Sequence, residues 1–330
     1  MQDRPKLHQP VLLNEVLEAL APRPRGIYVD GTFGGGGYTQ AILESAQCSV
    51  YAIDRDPRAI EAGAALIAAF PNRLTLIEGL FSNMGELLAA EGISEVDGIV
   101  LDIGVSSMQI DDAERGFSFQ KDGPLDMRMG RSGPSAADVV NSLEESELKS
   151  VIAVFGEERR AHAIARAIAK RRREQPFTRT SELAQLIQSV LGRRPHEAIH
   201  PATRTFQALR IFVNRELEEL VQGLGTAEKL LKPGGRVAII TFHSLEDRIV
   251  KRFLIERSGK EARPSRHQPA AQAALPSFEL MGPQPVTPSE EEVSRNPRAR
   301  SAKLRAAVRT AAPAQALNPG LRRLASIEGR

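Results

Sequence analysis

The chain is 330 residues long, 42% hydrophobic and 26% charged, with a formal net charge of +3. That length exceeds one typical domain and the apolar content suffices for a sizeable core, so one domain with a large insertion, or two domains, is expected. Cys48 is the only cysteine; it excludes disulfides and cysteine-based zinc sites and reads as a small buried hydrophobe.

The opening MQDRPKLHQPVLLNEVLEAL predicts a helix over 12–20. It sets Asn14, Glu15 and Glu18 inside an apolar stretch too short and too charged for a signal peptide or a membrane span. A soluble, cytoplasmic protein with no membrane partner is the expectation.

Residues 27 to 56 read IYVDGTFGGGGYTQAILESAQCSVYAIDRD. An apolar strand ends in Asp30, a loop follows with glycines at 31 and 34 to 37, then a helix, then a second strand ending at Asp54. Bare backbone N–H groups at such a turn approach a ligand closely, and the acid on the next strand can take ribose hydroxyls. A dinucleotide needs GxGxxG, whereas S-adenosylmethionine sites tolerate looser glycine spacing and add an acid at the end of the first strand. Asp30 followed by Gly31 and Gly34 fits the second cofactor better.

Further α/β alternation follows, with strands at 27–30, 50–54, 74–77 and 97–103 and helices near 38–46, 57–69 and 83–91. From about residue 113 the pattern changes to the turn-rich ERGFSFQKDGPLDMRMGRSGPS and then helices near 144–154, 157–174 and 180–191, so 113–202 reads as a helical insertion. Residues 151 to 215 hold thirteen Lys and Arg against five Asp and Glu. A local excess of one sign is the footprint expected for a phosphate backbone, against the plainer reading of a solvated face.

A helix begun near Thr203 is expected to continue to Leu231. KPGG then makes a turn and RVAIITF resumes the sheet at 236–242. A KPGG turn before a hydrophobic strand favours methyl transfer over hydride transfer. Residues 258–290 read as an irregular loop. SAKLRAAVR reads as a last strand with Ala302, Leu304, Ala306 and Val308 on one side, and 311–330 as a flexible tail.

The segment GIVLDIGVSSMQIDDAERGFSFQKDGPLDMRM at 98–129 closely resembles the bacterial RsmH (MraW) family of 16S ribosomal RNA cytosine-N4 methyltransferases. The resemblance extends to HQPVLLNEVLEAL at 8–20, DGTFGGGGYT at 30–39, AIDRDP at 52–57, ATRTFQALRIFVNRELEEL at 202–220, TFHSLEDRIVKRF at 241–253 and NPRARSAKLR at 296–305. It implies an α/β class I S-adenosylmethionine-dependent methyltransferase core, Rossmann-like, in two parts at 1–112 and 203–310. It also implies that the helical insertion helps recognise RNA, and that the substrate is a decoding-centre (P-site) cytidine of 16S rRNA within the small ribosomal subunit. A homodimer is a further expectation.

Carried over position by position, the family's cofactor contacts fall on Gly36, Gly37, Tyr38, Asp54, Phe81, Asp102 and Gln109. Tyr38 stands where histidine is common. By this resemblance Asp54 takes the ribose hydroxyls, Phe81 lines the adenine pocket and Asp102 faces the methionine end.

Cytosine's exocyclic amine is a poor nucleophile because its lone pair is delocalised, so an enzyme must align N4 and accept hydrogen bonds from it. Asp102, at a strand's carboxyl end, is the favoured acceptor, with Asp111, Asp112 and His243 as further candidates; no metal is needed. Phe117 and Phe119 offer either a stacking surface for an exposed base or two core side chains. Arg115, Arg128 and the cluster Lys170 to Arg173 are candidates for holding phosphates. A methyltransferase for another RNA or protein amine, a non-enzymatic ribosome-assembly factor that binds S-adenosylmethionine, and a dehydrogenase remain open at this level.

Overall fold

Parallel strands buried on both faces are near-continuous apolar runs, and VDGIVLD and RVAIIT have that character. The computed structural model describes residues 10–192, 200–260 and 274–327. The first two residues of the 8–20 motif, the middle of the 258–290 loop and the last three of the tail lie outside the described residues. Two compact units emerge: Met1–Gly104 with Glu218–Ala325, and Val105–Leu217 with Ser326–Arg330.

In the first unit the chain runs α1 (Leu13–Leu20), β1 (Ile27–Asp30), α2 (Gly37–Ser45), β2 (Ser49–Asp54), α3 (Pro57–Ala62), α4 (Ala64–Ala69), β3 (Leu74–Glu78), α5 (Met84–Ala90) and β4 (Val96–Asp102). The second unit is helical: α6 (Ser107–Asp111), α7 (Ala136–Ser142), α8 (Glu145–Phe155), α9 (Ala161–Arg171), α10 (Thr180–Leu191) and α11 (Thr203–Asn214). Then follow α12 (Glu216–Leu230), β5 (Leu231–Thr241), α13 (Ser244–Arg257), β6 (Phe278–Leu280), α14 (Glu290–Arg295), β7 (Lys303–Arg309) and α15 (Pro319–Leu324).

The seven strands form one sheet in the order β3-β2-β1-β4-β5-β7-β6. β1 to β5 are parallel and β7 runs antiparallel to β5 and β6. This doubly wound order reverses direction between β1 and β4, and the carboxyl ends at such a switch point open into the ligand crevice. Asp30 and Asp102 terminate those two strands. Val16, Leu20, Ile42, Val50, Ala52, Val100, Ala238 and Ile240 are among the side chains that join α1, α2 and the sheet in one buried cluster. Cys48 is buried there too.

Several elements differ from the sequence expectation. The helix expected over 57–69 is two segments meeting at Gly63, where a Cβ would sit 2.3 Å from Leu76. The helix expected over 157–174 begins later, because Glu157 is left-handed at φ 48. The helix expected from Thr203 to Leu231 breaks at Arg215, which has φ 52. There the buried Asn214 side chain accepts from Met129 N–H (2.8 Å) and donates to the Met127 carbonyl (2.7 Å) and the Arg210 carbonyl, while Arg210 pairs with Glu216 across the break. Nothing local in NRE announces that stop, because the partners lie some 85 residues upstream.

KPGG lies within β5 as a register irregularity between the pairs Val96↔Leu231 and Gly98↔Arg236, with Gly234 at φ 82. β7 has both faces covered. Leu304 and Ala306 join the main core, and on the other face Lys303 and Arg305 pair with Asp247 of α13. Residues 311–327 carry more structure than a loose tail: α15 buries Leu321, and Arg257 donates to the Ala316 carbonyl at 2.9 Å.

Candidate cofactor and active site

Four segments of the first unit converge where β1 and β4 end. The fully buried Asp30 carboxylate accepts from Thr39 Oγ1 (2.7 Å) and Thr32 N–H (3.2 Å), tying β1 to the first turn of α2. Burial pushes its pKa up to about 6 against the pull of those bonds. Thr32 Oγ1 accepts from the Asp102 N–H at 2.7 Å, which fixes the glycine loop to the end of β4. Gly34 N–H donates to Asp54 Oδ2 at 2.7 Å, which fixes the same loop to the end of β2.

Gly36 caps α2 from the left-handed region at φ 76 and has no side chain to spend on the helix's first N–H groups. Those of Gly37 and Tyr38 are left for water or a ligand. A Cβ at Gly37 would meet Pro10 Cγ at 2.3 Å, whereas one at Gly35 would meet nothing within 4 Å. The loop is therefore closed on the side of the N-terminal segment and open at Gly35. The Tyr38 ring faces away from that opening: it is buried and its hydroxyl donates to the Val11 carbonyl at 2.5 Å. Leu12 N–H in turn donates to Glu292 Oε1 at 2.7 Å. With its ring engaged there, Tyr38 presents its backbone N–H at the start of α2.

Asp54 is partly exposed, and burial of its carboxyl raises its pKa against hydrogen bonds from Asp56 and Gly34. Phe81 opens a short 3-10 turn, with its ring against Gly223 of α12 so closely that a Cβ there would lie 2.4 Å away. Buried Glu219 accepts from both the N–H and the hydroxyl of Ser82, each at 2.9 Å, and Thr226 donates to the Ser82 carbonyl. Glu219 and Gly223 lie well over a hundred residues from the turn they shape, and no local signal marks them.

Asp102 differs electrostatically from every other acid here. The residue keeps some solvent exposure, yet its Oδ1 is shielded from water and has no hydrogen-bond partner. Burial, then the charges of Asp30 and Glu246, pushes its pKa up to about 8. Orphaned buried acceptors are rare in proteins and call for an explanation such as a donor from a ligand. His243 is the N-cap of α13: Glu246 N–H donates to its Nδ1, and Glu246 Oε2 accepts from Phe242 N–H at 2.8 Å. His243 thus serves local architecture.

Gln109, the remaining expected contact, belongs to the second unit, where its side chain and Ser106 complete a capping box on α6. Asp111 is exposed there and Asp112 caps a turn by accepting from Glu114 N–H. Phe117 and Phe119 pack against the helical core, Phe119 4.9 Å from the Phe206 ring, so they fit the core reading. Arg115 donates to the carbonyls of Arg128 and Met129, and Arg128 pairs with Asp126.

A family model described as the MraW methylase family matches residues 5–310. The ribosomal RNA small subunit methyltransferase H of Parvibaculum lavamentivorans is 60% identical over 325 residues, covering 98% of this chain and 96% of the relative. The protein of the same name from Rhodopseudomonas palustris is 58% identical over 322 residues, 97% and 96% of the two chains. No helix among the described residues is long and apolar enough to cross a membrane. The glycine loop, the paired strand-end acids and this match agree: the chain belongs to the MraW methylase family and has the class I S-adenosylmethionine-dependent methyltransferase fold.

Proposed function

We propose that the chain methylates the exocyclic N4 amine of a decoding-centre cytidine in 16S rRNA of the small ribosomal subunit, with S-adenosylmethionine as donor. The observation that carries the chemistry is the unpartnered Asp102 Oδ1 at the switch point. The relatives' shared name, ribosomal RNA small subunit methyltransferase H, supports the substrate class.

The residues present fit the donor. Gly37 and Tyr38 offer backbone N–H groups at an uncapped helix start, suited to a carboxylate. The Asp54 carboxylate has lone pairs beyond the two bonds it accepts and would take ribose hydroxyls. Phe81, held by Gly223 and the Glu219–Ser82 bonds, would lie along the adenine. When bound, the cofactor supplies an electrophilic methyl group on a sulfonium.

On this reading, Asp102 Oδ1 would accept an N–H of the target amine, orient its lone pair and take the proton released as the nitrogen–methyl bond forms and the methyl–sulfur bond breaks to leave a neutral thioether. A carboxyl with a pKa of about 8 is largely protonated at neutral pH in the free protein, and the donor's sulfonium charge would favour the ionised form that this role requires. The helical unit, with its excess of Lys and Arg, would contact RNA phosphates. The test is to incubate the protein with isotopically labelled donor and undermethylated small subunits, then locate the modified nucleotide by mass spectrometry. Label on a decoding-centre cytidine N4 is expected; transfer to another atom, or none, overturns the reading.

A further inference from the structure

The run Lys170 to Arg173 is continuous in sequence but divided in space. Arg171 lies 5.0 Å over the Phe177 ring and donates to the Gln175 carbonyl, while Arg172 donates to the carbonyls of Val140 (2.8 Å) and Leu143 (2.6 Å). Those two cations are engaged by carbonyls within the second unit, around the C-terminal ends of α7 and α9. Lys170 and Arg173 are exposed, and so are His162 and Arg166 on the same helix.

His162, Arg166 and Lys170 are spaced i, i+4 and i+8, so on a 3.6-residue repeat they form one stripe along α9, and Arg173 lies in the turn that follows the helix. The opposite face of α9, Ala161, Ile164, Ala165, Ile168 and Ala169, is buried. An ordinary solvated helix face intersperses acids at i+4 and so lowers its self-repulsion. Here the acid against the stripe is Glu145, whose Oε1 is 3.7 Å from His162 Nε2. Exposed Glu174 follows Arg173 in the chain. Among the described residues no ion pair engages Arg166, Lys170 or Arg173.

We propose that His162, Arg166, Lys170 and Arg173 form a track that holds one run of RNA phosphates, while Arg171 and Arg172 do not contact RNA. The inference rests on the RNA reading above and deepens it. From residue 162 to 170 the track is about 12 Å long at 1.5 Å per residue. Such phosphate contacts position the nucleic acid without reading its sequence.

The test compares two full-length variants with equal charge loss: Arg166→Gln/Lys170→Gln/Arg173→Gln on the stripe, and Lys229→Gln/Lys251→Gln/Arg322→Gln at exposed positions of the first unit. Each is titrated with a 20-nucleotide oligouridylate and with undermethylated small subunits over a range of salt. The stripe variant is expected to bind both probes about tenfold more weakly at 0.1 M salt. Its log–log salt slope on the oligonucleotide should fall by about 2, at 0.7 per lost phosphate contact on a single strand. S-adenosylmethionine affinity and thermal unfolding should match those of the unaltered protein, and the control variant should keep its RNA affinity.

Equal losses in the two variants, or no oligouridylate binding by the unaltered protein, overturn the track. Stripe-dependent oligouridylate binding without methylation of small subunits leaves the track standing and sinks the substrate assignment instead.

Discussion

Replacing Asp102 with Asn removes the one strand-end carboxyl that folding pushes furthest from its ordinary range. Its pKa of about 8 compares with 3.8 in an unperturbed chain, so the folded state binds this proton more tightly than the unfolded state. The stabilisation from keeping the group neutral is complete below the unfolded value and is lost as pH rises through the folded value. Between pH 5 and 8 the interval is three units, a ceiling of about 4 kcal/mol at 1.36 kcal/mol per unit. Partial exposure of the residue screens part of that, which leaves about 2 kcal/mol. Urea unfolding of both proteins at pH 5, 7 and 9 measures it directly. The stability of Asp102→Asn minus that of the unaltered protein should grow by about 2 kcal/mol from pH 5 to pH 9, with the variant gaining at the alkaline end. A difference that stays constant with pH would refute the argument that burial and the Asp30 and Glu246 charges hold this carboxyl neutral.

The same carboxyl predicts proton release on cofactor binding, because a sulfonium cation nearby favours its ionised form; calorimetry at pH 7.5 in buffers of different ionisation heat should show it, and Asp102→Asn should abolish it. Glu219→Ala strips the acceptor from two Ser82 donors, at a cost of about 1–3 kcal/mol, and should weaken S-adenosylmethionine binding in calorimetry through the displaced Phe81 turn, with Glu219→Gln milder. Gly37→Ala drives a methyl group into Pro10 and should cost about 1–3 kcal/mol by denaturant midpoint. In the first unit's interior, Arg257→Leu leaves the fully buried Glu228, 2.9 Å from Arg257 Nε, without its cation. A loss of about 3–5 kcal/mol is expected, and a double-mutant cycle with Glu228→Leu should show strong non-additivity.

Local chemistry wrote the scaffold into the sequence. Strands ending at Asp30, Asp54 and Asp102, the glycine loop and the helices over 180–191 and 13–20 are legible because apolar period, glycine and strand-end acids act within a few residues of one another. What the sequence could not rank were groups defined by distant partners. Lys170 to Arg173 looks like one cationic cluster until Val140, Leu143 and Phe177 claim its two middle members. Phe117 and Phe119 are aromatic at period two whether they face a nucleotide or Phe206. The helix after Thr203 breaks at Arg215 because Asn214 is held by residues 127 and 129. The sequence by itself thus determined the parallel sheet and the chemical class of its loop. The tertiary structure alone decided that Asp102 Oδ1 lies buried without a donor, and which cations remain exposed. Those properties depend on desolvation and on contacts across many tens of residues, and no local pattern encodes them.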